Sequence, residues 1–284
     1  MEVTAIDVHV HLCDDLTLKA KGARAQQMAR YFGRERKPVS IDEMADQYRQ
    51  RKMMAAIMNT TDVTVTGLAP VPNDHIAEGV RRHSDVFLGF GIVDPWMGKV
   101  ALEEIRRIKD LGLHGLGEFN PARQHFYPND TRFYPLWEEA QKLGLPILFH
   151  SGMAAAGAGT PGGMGFKLKY GQPIYLDDVA ADFPELKIIC AHPSWPWQEE
   201  ALAIARHKLN FYIDISGWAP KYFPQELVHH MNSLLQDKVL FGSDWPAIGV
   251  ERWIEEFNQL DLKPEVRQKI LLENAKKFFN LKLG

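Results

Sequence analysis

The chain has 284 residues, 45% of them hydrophobic and 24% charged, and its 33 basic and 36 acidic side chains leave a formal net charge of −3. That is an ordinary globular balance with no global field for phosphate backbones or anionic lipid, so nucleic acid and membrane surfaces are unfavoured partners. A chain this long buries about three-quarters of its unfolded surface, so it needs no disulfide or structural metal to fold, and any metal has to be argued as functional.

The two cysteines, Cys13 and Cys190, lack the spacing of a disulfide framework or a cysteine-rich zinc site, which fits a reducing compartment. The first residues carry neither a basic segment nor an apolar one, and no apolar run of about 18 residues occurs. The expectation is a cytoplasmic protein without a membrane span.

Along the chain, short apolar or β-branched runs at 5–11, 55–60, 86–93, 113–119, 145–150, 187–192, 209–216 and 238–244 read as strands. Amphipathic stretches at 41–52, 74–82, 99–111, 132–143, 175–183, 196–207, 224–235 and 250–260 separate or follow them, and a terminal helix is expected near 264–279. In 99–111, Val100, Ile105, Ile108 and Leu111 form one apolar stripe, and Gly112 supplies the C-cap. Eight such pairs predict an α/β fold, a single (β/α)8 TIM barrel over residues 1–284 with an insertion after the first strand and a C-terminal helix. No linker-like composition shift divides the chain.

In such a barrel the C-terminal ends of the strands share one face, so polar groups there converge from distant positions. Strand 1 carries Asp7, His9 and His11, strand 4 Glu118, strand 5 His150, strand 6 His192 and strand 8 Asp244. His9 and His11, at i and i+2, project from one face of a strand, which suits zinc, manganese or iron and equally suits a hydrogen-bonded pair. Each of the others alone reads as structural. Four histidines and a carboxylate at one mouth, in a chain of 11 histidines, form a pattern that asks for a partner.

The segments Ile6-Asp7-Val8-His9-Val10-His11-Leu12, Phe149-His150-Ser151-Gly152, Cys190-Ala191-His192-Pro193 and Phe241-Gly242-Ser243-Asp244-Trp245-Pro246 resemble the amidohydrolase superfamily. More narrowly they resemble its amidohydrolase-2 branch, which includes aminocarboxymuconate-semialdehyde decarboxylase, aromatic-acid decarboxylases and lactone hydrolases. The resemblance implies that His9, His11, His150 and Asp244 hold one divalent metal, zinc first and manganese or iron as alternatives. It also implies that His192 and Asp244 act as catalytic acid/base groups, and it suggests a homodimer. A metal with an open position lowers the pKa of bound water towards about 7 and polarises a carbonyl. Asp7 is a candidate partner for a ligand histidine.

Glu118, in Gly115-Leu-Gly-Glu-Phe-Asn-Pro, departs from the decarboxylase pattern and is similar to the Gly-Glu of TatD-type nucleases, where the carboxylate bridges two metals. A substrate or water partner, a second-metal ligand and a buried structural carboxylate all remain open for it. For the substrate, Trp96, Trp195, Trp197, Trp218 and Trp245 follow strand ends and suggest an aromatic wall, with Trp218 and Trp245 as binding residues. Arg123 and Lys221 are candidates for a substrate carboxylate. The glycine-rich stretch after His150 reads as a mobile lid. The segment 14–38, with Lys19, Lys21, Arg24, Arg30, Arg34, Arg36 and Lys37, reads as a cap or a solvated face.

The reaction expected first is hydrolysis, with metal-activated water attacking an ester, lactone or amide carbonyl of a small cyclic or carboxylated substrate. Non-oxidative decarboxylation of an aromatic or muconate-type acid at the same site is the alternative, and a TatD-like nuclease comes third.

Overall fold

A computed structural model describes residues 2–33, 35 and 37–283; Arg34 and Arg36 of the basic segment lie outside the described residues. Eight parallel strands pair in chain order: β1 (Ala5–His11), β2 (Met53–Met58), β3 (Phe87–Gly91), β4 (Gly115–Phe119), β5 (Ile147–His150), β6 (Ile188–Ala191), β7 (Phe211–Asp214) and β8 (Val239–Leu240). The ring closes beyond β8, where Val8 N donates to Phe241 O at 2.9 Å, Asp244 N to His9 O at 3.0 Å and His11 N to Trp245 O at 2.8 Å. The architecture is the (β/α)8 barrel that the alternating pattern predicts. Among the described residues no helix is long and apolar enough to cross a membrane.

Alternation along the strands divides the apolar side chains between two layers. Ile6, Val8, Met54, Ala56, Leu88, Phe90, Leu148, Ile189 and Leu240 fill the barrel, and Ala275 and Phe278 of the last helix join them from below. The opposite parity, including Val10, Ala55, Ile57, Phe87, Ile147, Phe149 and Ile213, packs against the surrounding helices. The strand residues are buried on both faces, which is why they read as short continuous apolar runs.

Two strands break this alternation at the site. In β1, Asp7 pairs with Ala55 and Val10 with Ile57; in β4, Leu116 pairs with Ile147 and Phe119 with Phe149. Each strand therefore spends three residues against two of its neighbour, a bulge. The bulge in β1 lets Val8 stay in the barrel filling while His9 and His11 both turn to the mouth. In β4 it keeps Leu116 and Phe119 in the helix-facing core and leaves Glu118 to point inward. Gly117 sits inside that bulge with φ 149°, where an added Cβ would stand 2.9 Å from Leu148 Cβ and from the Leu148 carbonyl oxygen.

The segment after β1 forms two helices, Asp15–Lys21 and Ala23–Tyr31. The stretch expected as one C-terminal helix is two α-helical pieces, Pro264–Gln268 and Asn274–Phe279, joined by a π-helical turn, Lys269–Glu273. That turn offers the Ile270 carbonyl to Phe241 N at 3.0 Å, and the Asn274 amide donates to Val239 O at 2.7 Å. The C-terminal segment thereby anchors the short eighth strand.

Candidate metal centre

Six side chains from β1, β4, β5 and the loops after β6 and β8 meet at the mouth. His9 Nε2 and His11 Nε2 lie 3.2 Å apart, and Asp244 Oδ1 stands 3.3 Å from His11 Nε2 and 3.9 Å from His9 Nε2. Glu118 Oε2 is 3.4 Å from His11 Nε2. Donors at about 2.1 Å from one ion are separated by roughly 3.0–3.4 Å in octahedral or tetrahedral geometry. The His9–His11, His11–Asp244 and His11–Glu118 spacings fall in that range and the His9–Asp244 spacing is wider, which leaves room for a cation among these groups.

His150 stands apart from the expected set. Its Nδ1 faces Glu118 Oε1 at 2.7 Å and His192 Nε2 at 3.0 Å, and its Nε2 is buried without a hydrogen-bond partner. The donors thus form three overlapping groups, His9–His11–Asp244, Glu118–His150–His192 and His9–His192–Asp214, with Glu118 also linking the first two. The family resemblance grouped His150 with the first; the inward turn of Glu118 at its bulge puts a carboxylate between them.

His192 and Asp244 occupy left-handed backbone, with φ 72° and 58°. Such conformations cost about 1–3 kcal/mol each and persist where surrounding structure enforces them. Gly217 completes the enclosure: a Cβ there would meet His192 Nδ1 at 2.5 Å and Asp244 Oδ2 at 3.3 Å.

Asp214, at the end of β7, is the site residue that sequence reasoning missed. Its Oδ2 lies 2.9 Å from His9 Nδ1, and its Oδ1 accepts Ser216 N at 2.8 Å. A carboxylate there accepts a hydrogen bond from Nδ1–H and leaves the Nε2 lone pair facing the donor group, the arrangement that makes an imidazole a ligand. A lone aspartate ending the apolar run Phe211-Tyr212-Ile213 was the available signal. Asp7, proposed for this task, instead accepts from His9 N, Ser243 N, Ser243 Oγ and Tyr48 Oη, tying β1 to the loop after β8. We expect Asp214→Asn to weaken metal affinity about 10- to 100-fold, as losses of such supporting carboxylates do. Metal-buffer titration checks this, and an unchanged affinity would remove Asp214 from the site.

The electrostatics favour positive charge at the donor group. Burial pushes the His9 imidazolium down, but Asp214, with Glu118 and Asp244, raises it to about 10. Burial alone would raise Glu118, Asp214 and Asp244; their histidine neighbours instead hold all three low, Glu118 well below the usual carboxylate range. Three ionised carboxylates around buried imidazoles make a site that stabilises positive charge.

A cavity of about 120 Å³ opens on these groups, bordered by His11, Glu118, His150, His192 and Asp244 and, above them, by Leu18, Lys21, Arg24, Met28, Arg123 and Phe166. A larger hollow, about 470 Å³, lies at the opposite end of the barrel beside Gly112, Gly144 and Phe278, away from the donor groups. Among the described residues, no tryptophan lines the cavity at the donor groups. Trp218 and Trp245 pack partly buried against the helix-facing core and border neither space, while Trp96 and Trp195 are exposed. The left-handed turn at Asp244 redirects Trp245, and Trp96 donates its indole N–H to Gln124 O at 2.7 Å. Lys221 is exposed against the Tyr222 ring, and Arg123 borders the cavity while paired with Asp62.

The glycine-rich stretch does cover the cavity, through Ala154, Ala155, Ala156 and Phe166. It is tied to the insertion by the buried Gln27, whose amide nitrogen donates to Ala158 O at 3.0 Å and whose amide oxygen accepts Gly157 N at 3.1 Å.

Comparison with known proteins fits this geometry. Gamma-resorcylate decarboxylase of Polaromonas sp. is 23% identical over 249 residues, 74% of this chain and 75% of that one. The 2-amino-3-carboxymuconate-6-semialdehyde decarboxylase of Dictyostelium discoideum is 25% identical over 207 residues, 63% of this chain and 56% of that one. Among solved structures, an uncharacterized TIM-barrel protein from Bordetella bronchiseptica superposes with a TM-score of 0.79 at 24% identity, covering 97% of this chain and 98% of that one. A dihydroxybenzoic acid decarboxylase from Polaromonas sp., with bound manganese and the inhibitor 2-nitroresorcinol, gives 0.70 at 19%, covering 99% and 98%. The amidohydrolase family profile matches residues 6–281, and the chain belongs to the amidohydrolase-2 branch of that superfamily.

Proposed function

We propose that the chain is a metal-dependent enzyme that decarboxylates a small planar or cyclic acid without redox change. What carries this is the combination of a His9–His11–Asp244 donor group with relatives named as decarboxylases along three-quarters of both chains. Decarboxylation replaces the hydrolysis expected first from the residues. One divalent ion between His9, His11, Asp244 and Glu118 would position a substrate carboxylate or phenolic oxygen and draw off negative charge. Two imidazoles with two carboxylates suit zinc or manganese, and the second carboxylate moves the balance towards manganese.

His192 is the proton donor in this reading. Its Nδ1 faces the Ser216 carbonyl at 3.0 Å, an acceptor, so Nδ1 carries hydrogen and Nε2 is the atom that exchanges with substrate. Burial works against its protonation, but Glu118, Asp244 and Asp214 raise it. As the carbon–carboxyl bond breaks, its electron pair takes the Nε2 proton, carbon dioxide departs and the ring hydrogen is in place. The 120 Å³ cavity suits a ring-sized acid better than a nucleic-acid strand.

Hydrolysis remains the second reading because of Glu118, an ionised carboxylate bordering the cavity that is able to take a proton from water. Protein loaded with manganese or zinc and offered hydroxybenzoates and lactones in ¹⁸O-water separates the two. Carbon dioxide without label in the organic product is expected; labelled carboxylate without carbon dioxide would install hydrolysis instead.

A further inference from the structure

We propose that Arg24 and Arg123, joined through Asp62, form a subsite for a second carboxylate of the substrate. This rests on the small-acid reading above and adds that the preferred acid is a dicarboxylate. Arg24 comes from the helix Ala23–Tyr31 of the insertion, Asp62 from the loop after β2 and Arg123 from the turn after β4. Arg123 Nε and Nη2 meet Asp62 Oδ2 and Oδ1 at 2.8 and 2.9 Å. Arg24 meets the same carboxylate through both terminal nitrogens, Nη2 to Oδ1 at 3.2 Å. Arg123 also donates to Thr60 Oγ1.

Two guanidiniums thus share one carboxylate, leaving a net positive charge. Burial would raise the Asp62 carboxyl, yet the two arginines hold it down at about 2, so the cluster keeps that charge at every physiological pH. Arg24 is lowered by burial and by Arg123, which marks like charges held close. Asp62 joins the two guanidiniums but neutralises only one of the two charges, and an uncompensated buried charge is costly.

Both arginines border the metal cavity, and both also border an adjoining lobe of about 20 Å³. In that lobe Thr17 Oγ1, both amide atoms of Asn59 and Thr61 Oγ1 are buried without hydrogen-bond partners. The three side chains are 1%, 2% and 5% exposed. Buried polar atoms are almost always bonded. Hydroxyls, an amide and two guanidiniums around a lobe the size of one oxygen form a built receptor for part of a planar anion. Guanidinium favours a carboxylate, which it grips through two parallel bonds.

The test is calorimetric binding of benzoate and isophthalate to the manganese-loaded protein. Isophthalate is expected to bind about 10- to 100-fold tighter than benzoate. Arg24→Gln and Arg123→Gln should each remove most of that advantage, leaving metal content unchanged. Asp62→Asn, which keeps both guanidiniums and removes their internal anion, should enlarge the advantage, and it serves where loss of Arg123 prevents folding. Equal affinity for the two acids in the unaltered protein, or an advantage that survives both arginine variants, overturns the subsite. Since binding is measured without turnover, a dicarboxylate advantage without release of carbon dioxide would fault the decarboxylase reading alone.

Discussion

Asp244→Asn should yield a folded protein that has lost tight metal binding and at least about a thousandfold in turnover. The carboxylate oxygen lies 3.3 Å from His11 Nε2 and 3.9 Å from His9 Nε2, close enough for all three to hold one ion. An amide of the same shape offers a neutral oxygen, and several kcal/mol of stabilisation at the reacting centre translates into about three orders of magnitude in rate. The backbone argues that the fold survives. Position 244 has φ 58°, and asparagine is among the residues that adopt this conformation most readily. Thermal unfolding and circular dichroism should therefore change little while bound metal, measured by mass spectrometry, falls from one equivalent per chain. Retained metal with undiminished turnover would remove Asp244 from the centre. Two equivalents in the unaltered protein would place a second ion on Glu118, His150 and His192.

The barrel was legible because buried parallel strands and amphipathic helices write different periods into the chain. The run at 99–111 is the helix Lys99–Asp110, with Ile105 and Ile108 in the core. Strand 1 is Ala5–His11, as expected. Strand 8 was overread. Of 238–244 only Val239–Leu240 is strand, and the remainder closes the ring through hydrogen bonds to β1 that no local periodicity encodes.

The site was legible in its residue types and obscure in its grouping. His9, His11 and Asp244 come together because strand ends share a face. The roles of Glu118 and His150 depend on a bulge at Gly117, and a one-residue offset changes which face every later side chain takes. Tryptophans after strands suggested an aromatic wall, but the direction of a side chain beyond a strand end is set by loop dihedrals. At Asp244 the left-handed turn sends Trp245 elsewhere. Arg123 was visible as a cation, whereas its pairing with Asp62, 61 positions away, was not.

Replacing Glu118 by Gln is expected to damage two properties at once, because its two oxygens face different groups. Oε2 lies 3.4 Å from His11, beside the His9–His11–Asp244 group, while Oε1 lies 2.7 Å from His150 Nδ1 and 3.6 Å from His192 Nε2. Loss of the charge at Oε2 should weaken metal binding about 10- to 100-fold. Loss of the charge at Oε1 should leave turnover down about 10²- to 10⁴-fold even with metal in excess, the range for removing proton-transfer assistance. The pH profile supplies the sign. Burial disfavours the charged form of His192, and Glu118 is the largest of the influences that raise it. Without that carboxylate the imidazolium gives up its proton at lower pH, so the alkaline limb of a reaction that needs protonated His192 moves to lower pH. A hydrolytic enzyme using Glu118 as base would lose its acidic limb instead. If affinity falls and the alkaline limb stays fixed, the carboxylate serves the metal alone; if the limb moves at constant affinity, it serves the histidine pair alone. Only the joint change supports a carboxylate that binds the ion through one oxygen and holds the proton donor ready through the other.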